Sequence, residues 1–246
     1  MITELKLKIN YRSAEKLSYQ ITSVMHGILM EQIDHEYGEI LHKNSLKPFT
    51  QTVCEITEGT FIWRICTLTK EAKEQIIDKL MAIDDFYMRY KDLRLTVAER
   101  SYKEISYDTL IENYYFEEQP RNIQIHFCSP TAFKSQGNYV FMPSVRLVFQ
   151  SLIQKYDSFS PGTEIGSRET LEHIEQYVSI IRYNLRSTRF PLEGTRVPAF
   201  VGTITFRVKG PQQLVNLIKM LSVFGQYSSV GIKTALGMGR ISVEGA

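Results

Sequence analysis

Three glycines and two cations crowd the run from Gly231 to Arg240, the segment of this chain whose composition most plainly suits a ligand. Gly231, Gly237 and Gly239 can bring backbone N–H groups close to an anion, and Lys233 and Arg240 supply charge at the edges of the run. A phosphate is the ligand such a loop suits. A Walker loop is excluded, because it needs four residues between its first glycine and a Gly-Lys-Ser/Thr, after a strand and before a helix. Here Lys233 follows Ile232, and an extended segment comes next. A turn that serves only tight packing is the other reading of the same glycines.

Charge placement favours the polyanion. The chain has a net charge of +2, yet the stretch 181–246 holds nine Lys/Arg against Glu193 and Glu244, a local balance of +7. Arg186 and Arg189 lie in this stretch and join Lys233 and Arg240 as candidate phosphate contacts. The 246 residues, 43% hydrophobic, are enough for one large domain or two small ones. No segment approaches the roughly 18 apolar residues of a membrane helix, so a cytoplasmic protein without membrane contact is expected. Cys54, Cys66 and Cys128 form no CxxC pair, and no histidines stand at a metal-ligand spacing with carboxylates. Neither a disulfide framework, a metal nor a cofactor is expected.

The elements that must position these residues fall into two series. Leu5, Leu7 and Ile9 alternate as in a half-buried strand, and a helix capped by Ser13 is expected to carry Leu17, Ile21, Val24, Ile28 and Leu29 through Ile33. A hairpin follows around Glu58 and Gly59, then a helix capped by Thr69 and running to Ile83, then extended residues 86–90 and 93–99. Past an acidic connector at Glu117 and Glu118 the order repeats. Ile123, Ile125 and Phe127 alternate; helices are expected from Pro143 to Tyr156, near 168–177, and from Gly210 to Phe224. Strands are expected over 178–190 and 199–208, with a last one at Ile241 and Val243. Each half reads β-α-β-β-α-β. The fold class is therefore α+β, with two tandem ferredoxin-like (RRM-like) domains built on antiparallel sheets, 1–118 and 119–246.

The residues Gly225 to Arg240, preceded by Phe200 to Pro211, closely resemble the C-terminal signature of the CRISPR-associated repeat-RNA endoribonucleases, the sixth Cas family. Ser129 to Phe133, Phe141 to Pro143, Val148 to Leu152 and Ser187 to Phe190 extend the likeness over nearly the whole chain. One departure is Ser229-Val230-Gly231, where many members read Gly-Val-Gly. The resemblance implies metal-independent cleavage of precursor CRISPR RNA within each repeat, leaving a 2′,3′-cyclic phosphate and a 5′-hydroxyl. The partner it implies is repeat RNA; homodimerisation and association with an effector complex stay open, as does the alternative of a non-catalytic RNA-binding subunit.

Attack by a ribose 2′-OH needs a base, an acid for the departing 5′ oxygen, and cationic help for the phosphorane. Relatives often carry a histidine after the first helix with a lysine shortly downstream, and His42 and Lys47 match that arrangement. Lys43 could substitute for Lys47. His26, in the expected first helix beside Gly27, is the second proton-transfer candidate, since the tyrosine some relatives place one turn further on is Met30 here. His35, His126 and His173 read as helix end, strand face and helix surface.

Overall fold

The computed structural model describes residues 1–13, 17–162, 164–192 and 194–245. The chain divides into two compact units, one formed by Met1–Glu104 together with Ala235–Gly237, the other by Ile105–Thr234 and Met238–Ala246. The division falls ahead of the acidic connector at which the sequence reading set it. It does so because Tyr107 and Leu110, in a short helix after Ile105, are buried and Tyr107 packs on Tyr156 and Phe224.

In the first unit, β1 (Ile2–Tyr11) is followed by α1 (Ile21–Met30), α2 (His35–Lys43), β2 (Phe49–Cys54) and β3 (Thr60–Thr67). Next come α3 (Lys70–Ala72), a π-helical stretch Lys73–Ile77 and α4 (Asp78–Met81), then β4 (Asp85–Met88) and β5 (Leu93–Ile105). The strand order is β2-β3-β1-β5-β4. Without the added edge strand β4, this is the ferredoxin-like arrangement. Leu5, Leu7 and Ile9 all point into the core, as their alternation requires, and β3 lays Phe61, Trp63 and Ile65 beside them. Thr69 caps α3 as expected, its hydroxyl accepting from the Ala72 N–H at 3.2 Å.

The first helix differs from expectation. It opens at Ile21, and residues 14–16, where the Ser13-capped start was placed, lie outside the described residues. A second helix follows that the periodicity did not mark: α2 carries Glu36 in its first turn and buries only Tyr37, Gly38 and Leu41. An apolar face so narrow gives little periodic signal. β2 also begins earlier than the hairpin pattern suggested, which brings Gln51 into the strand.

In the second unit α5 (Tyr107–Ile111) and a π turn Glu112–Phe116 precede β6 (Asn122–Thr131) and the hairpin of β7 (Phe133–Ser135) and β8 (Asn138–Val140). Then come α6 (Val145–Phe159), α7 (Arg168–Tyr177), β9 (Val178–Leu192), β10 (Thr195–Val208), α8 (Gln212–Ser228) and β11 (Ile241–Val243). The order β11-β6-β10-β9, antiparallel throughout, is the ferredoxin-like sheet again. Among the described residues no helix is long and apolar enough to cross a membrane.

Candidate functional site

His26, His42 and Lys47 stand far enough apart in sequence to be unrelated, yet the first unit gathers them. His26 sits mid-way along α1, His42 in the last turn of α2, and Lys47 in the short link before β2. They are near enough that the charges of His42 and Lys47 both act on His26. His42, expected after the first helix, is held on the end of a second one, with its side chain exposed. Lys43 is its exposed neighbour in the same turn.

Lys47 secures that helix end. Its ammonium donates to the Leu41 and Asn44 carbonyls, acceptors that the helix itself leaves without partners. A cation there is also favoured by the helix dipole. Partial burial lowers the Lys47 pKa. An ammonium has three donors, so one N–H remains for a ligand.

His26 is half-buried, and its ring lies parallel to Phe49 with centroids 6.0 Å apart. Burial, reinforced by the charge of His42, brings its pKa down to about 4, against a smaller opposing effect of the nearby Ala235 backbone. Its Nδ1 is buried and has no hydrogen-bond partner among the described residues. At neutral pH His26 is uncharged.

This has a measurable consequence for stability. The unfolded chain takes up a proton at His26 near pH 6.5 and the folded one only near 4, so the stabilisation is present above 6.5 and is lost as pH falls to about 4. At most about 3 kcal/mol is at stake. Denaturant midpoints of wild type and His26→Asn, compared at pH 7 and pH 4, should show a shallower acid loss in the variant. Parallel pH profiles would reject the assignment.

The glycine run divides its allegiance. Ala235–Gly237 belongs to the first unit: the Gln51 amide donates to the Ala235 carbonyl at 3.1 Å, and a Cβ on Gly237 would lie 2.0 Å from Thr22 Cγ2. The flanking glycines pack within the second unit. Gly231 N–H donates to Ser151 Oγ at 2.8 Å, Gly239 N–H to the Pro130 carbonyl at 3.0 Å, and Arg240 N–H to Ser129 Oγ at 2.9 Å. Those N–H groups are spent on the protein. The glycines at 231 and 239 are also required sterically, since an added Cβ would lie 2.2 Å from the Ala132 oxygen and 1.9 Å from the Val230 oxygen. What the run offers a ligand is therefore the half-exposed side chains of Lys233 and Arg240.

Arg186 and Arg189 are exposed on β9, the edge strand of the second sheet. Neither they nor Lys233 and Arg240 form an ion pair among the described residues. Sequence reasoning passed over Lys155 on α6. It is fully enclosed and donates to the Ser228 and Ser229 carbonyls at 3.0 and 2.9 Å, where α8 ends and the glycine run begins. Burial takes its pKa down to about 7. A lysine interrupting an apolar helix face was the available signal. Among the described residues no cluster of His, Cys, Asp or Glu could hold a metal.

The two ferredoxin-like units, each with an antiparallel sheet, define an α+β protein. The family model for the CRISPR-associated endoribonuclease Cas6 matches residues 125–241. The chain is 35% identical over 240 residues to the CRISPR-associated endoribonuclease Cas6 of Streptococcus thermophilus, covering 97% of this chain and 98% of that one. It is also 35% identical over 222 residues to the Cas6 of Mycobacterium tuberculosis, covering 89% and 70%. Among solved structures, a Cas6 product complex superposes with a TM-score of 0.82 at 22% identity, covering 99% of this chain and 100% of that one. A Thermus thermophilus Cas6 superposes with a TM-score of 0.76 at 22% identity, covering 99% and 98%. At this identity the structures speak for the tandem ferredoxin-like fold. The protein belongs to the Cas6 family of CRISPR-associated endoribonucleases.

Proposed function

We propose that the protein processes precursor CRISPR RNA by cutting within each repeat without a metal, through attack of a ribose 2′-OH on the adjacent phosphate. The observation that carries this reading is the convergence of His26, His42 and Lys47. His26, held neutral by burial, is the base. The 2′-OH proton passes to its unprotonated ring nitrogen, the 2′ oxygen bonds to phosphorus, and the bond from phosphorus to the 5′ oxygen breaks. His42, exposed at the end of α2, delivers a proton to the departing 5′ oxygen. The remaining N–H of Lys47 faces the charge that builds on the phosphorane.

Cations of the second unit, Lys233, Arg240, Arg186 and Arg189, hold the repeat RNA, with Gly231, Gly237 and Gly239 shaping the run that presents the first two. Repeat RNA incubated with the protein in EDTA should yield a 2′,3′-cyclic phosphate and a 5′-hydroxyl. A substrate lacking the 2′-OH on the nucleotide 5′ of the cut should bind and stay intact. Cleavage of that substrate, or a requirement for divalent metal, would overturn the mechanism.

A further inference from the structure

Helix α8 ends in a way that its own residues do not explain. A helix commonly stops on a glycine whose left-handed turn brings the following N–H groups back to the last carbonyls. Here the stop is Ser229, with a φ of +55° and a ψ of 173°, a backbone region that glycine alone enters freely. The next N–H, that of Val230, does not return to α8 but donates to the Gly239 carbonyl at 2.8 Å. The buried carbonyls of Ser228 and Ser229 are taken instead by the Lys155 Nζ, at 3.0 and 2.9 Å. The Ser228 hydroxyl joins it at the Ser229 oxygen, at 3.2 Å. One turn earlier on α6, Ser151 Oγ accepts from the Gly231 N–H at 2.8 Å. Two side chains on one face of α6 thus pin the end of α8 and the entry to the glycine run.

We propose that Lys155 is a positioning residue for repeat-RNA binding: it holds Ser229 in a strained conformation and so fixes the start of the run that presents Lys233 and Arg240. The inference rests on those two cations contacting the RNA. Lys155 is enclosed and does not itself reach a ligand. Its part is to keep the receptive conformation populated, since a strained residue persists only where its surroundings over-determine it. From Ser229 the chain passes to Ile232, whose N–H donates to the Ala132 carbonyl at 3.0 Å, and then to Lys233, itself at a φ of +54°. A backbone rotation at Ser229 would change the direction in which all of these leave α8. Two N–H groups suffice for two carbonyls, and a lysine keeps two even as the neutral amine, so the hold survives loss of its charge.

The test uses removal and rescue. Lys155→Met keeps the apolar stem and offers no donor. Its affinity for repeat RNA lacking the 2′-OH at the cut should fall about tenfold or more, as when about a tenth of the molecules or fewer hold the run ready. Single-turnover cleavage at saturating protein should stay within about twofold of wild type. Ser229→Gly alone should bind as wild type does. In Lys155→Met/Ser229→Gly the affinity should return, because glycine occupies a φ of +55° without being held. A folded Lys155→Met protein with wild-type affinity, a folded double variant that binds as weakly as Lys155→Met, or a loss confined to the saturated cleavage rate overturns the proposal. Should Lys155→Met not fold, the double variant decides alone: wild-type affinity upholds the proposal, and weak binding or failure to fold overturns it. Lys233→Ala/Arg240→Ala separates the two ideas: wild-type affinity in that variant rejects the run as an RNA contact, while recovery of the Lys155→Met melting temperature by Ser229→Gly still decides what Lys155 does to Ser229.

Discussion

Replacing His42 with alanine is expected to lower single-turnover cleavage of repeat RNA by about a hundredfold to ten-thousandfold, the range a positioned proton-transfer group contributes. Binding should be spared. His42 is exposed in the last turn of α2, where the Lys47 cap holds the helix end whether or not the imidazole is present. Rates at saturating protein, with affinity measured on RNA lacking the 2′-OH at the cut, separate the two effects. A variant that binds and cleaves as wild type does would remove His42 from the mechanism. Loss of binding in step with loss of cleavage would make it a contact residue instead. The same assay reads the base: because His26 stays neutral down to about pH 4, wild-type activity should persist well below pH 6.5 on its acid side.

Much of this was legible in the residues. Strict alternation at Leu5, Leu7 and Ile9 and at Ile123, Ile125 and Phe127 encodes strands buried on one face, and all six side chains are buried. The turn at Gly59 was legible because its φ of +83° suits glycine, and its carbonyl accepts from Tyr11 at 2.9 Å. Helix α7 lies at 168–177 as read, opened by a Ser167 cap. What the sequence hid has physical reasons. Helix α2 touches the core with one narrow stripe, so its pattern resembles a polar loop. The π-helical stretch Lys73–Ile77 shifts the side-chain period within what reads as one helix. The edge strand β4 has only Phe86 and Met88 buried, too few to distinguish a strand from an extended link.

The candidate site was legible in its parts and hidden in its assembly. Residue type and family likeness single out His26, His42 and Lys47, but nothing local says that a helix, a second helix and a strand entry converge. Gln51 carried a signal of its own, a lone amide in the buried row of Phe49 and Val53, which needs partners wherever it is enclosed. Its partners lie at positions 22, 63 and 235, and only the fold discloses them. The glycines were the reverse case. Their approach to phosphate looked like their purpose, whereas close packing against protein accounts for each of the three.

Gly237→Ala is the second substitution expected to act strongly, and it separates packing from ligand contact. Gly237 has a φ of +105°, which side chains other than glycine's rarely adopt, and the new methyl would meet Thr22 Cγ2 at 2.0 Å. Overpacking and backbone strain together should cost about 2–4 kcal/mol. The alternative for the chain is to release Ala235–Gly237 from α1, which draws the Ala235 backbone away from His26. Either way the melting temperature or the cleavage rate falls. Thr22→Ser tells which term dominates, because it deletes Cγ2 yet keeps the hydroxyl that donates to the Tyr19 carbonyl at 2.8 Å. In that background the nearest atom to the new methyl becomes the residue 22 Cβ, at 3.0 Å. The steric part of the cost should then be recovered and the φ strain should remain, a coupling measurable by a double-mutant cycle. If Gly237→Ala melts as wild type does and cleaves at the same rate but binds RNA less well, the glycine serves the ligand and the packing account is wrong.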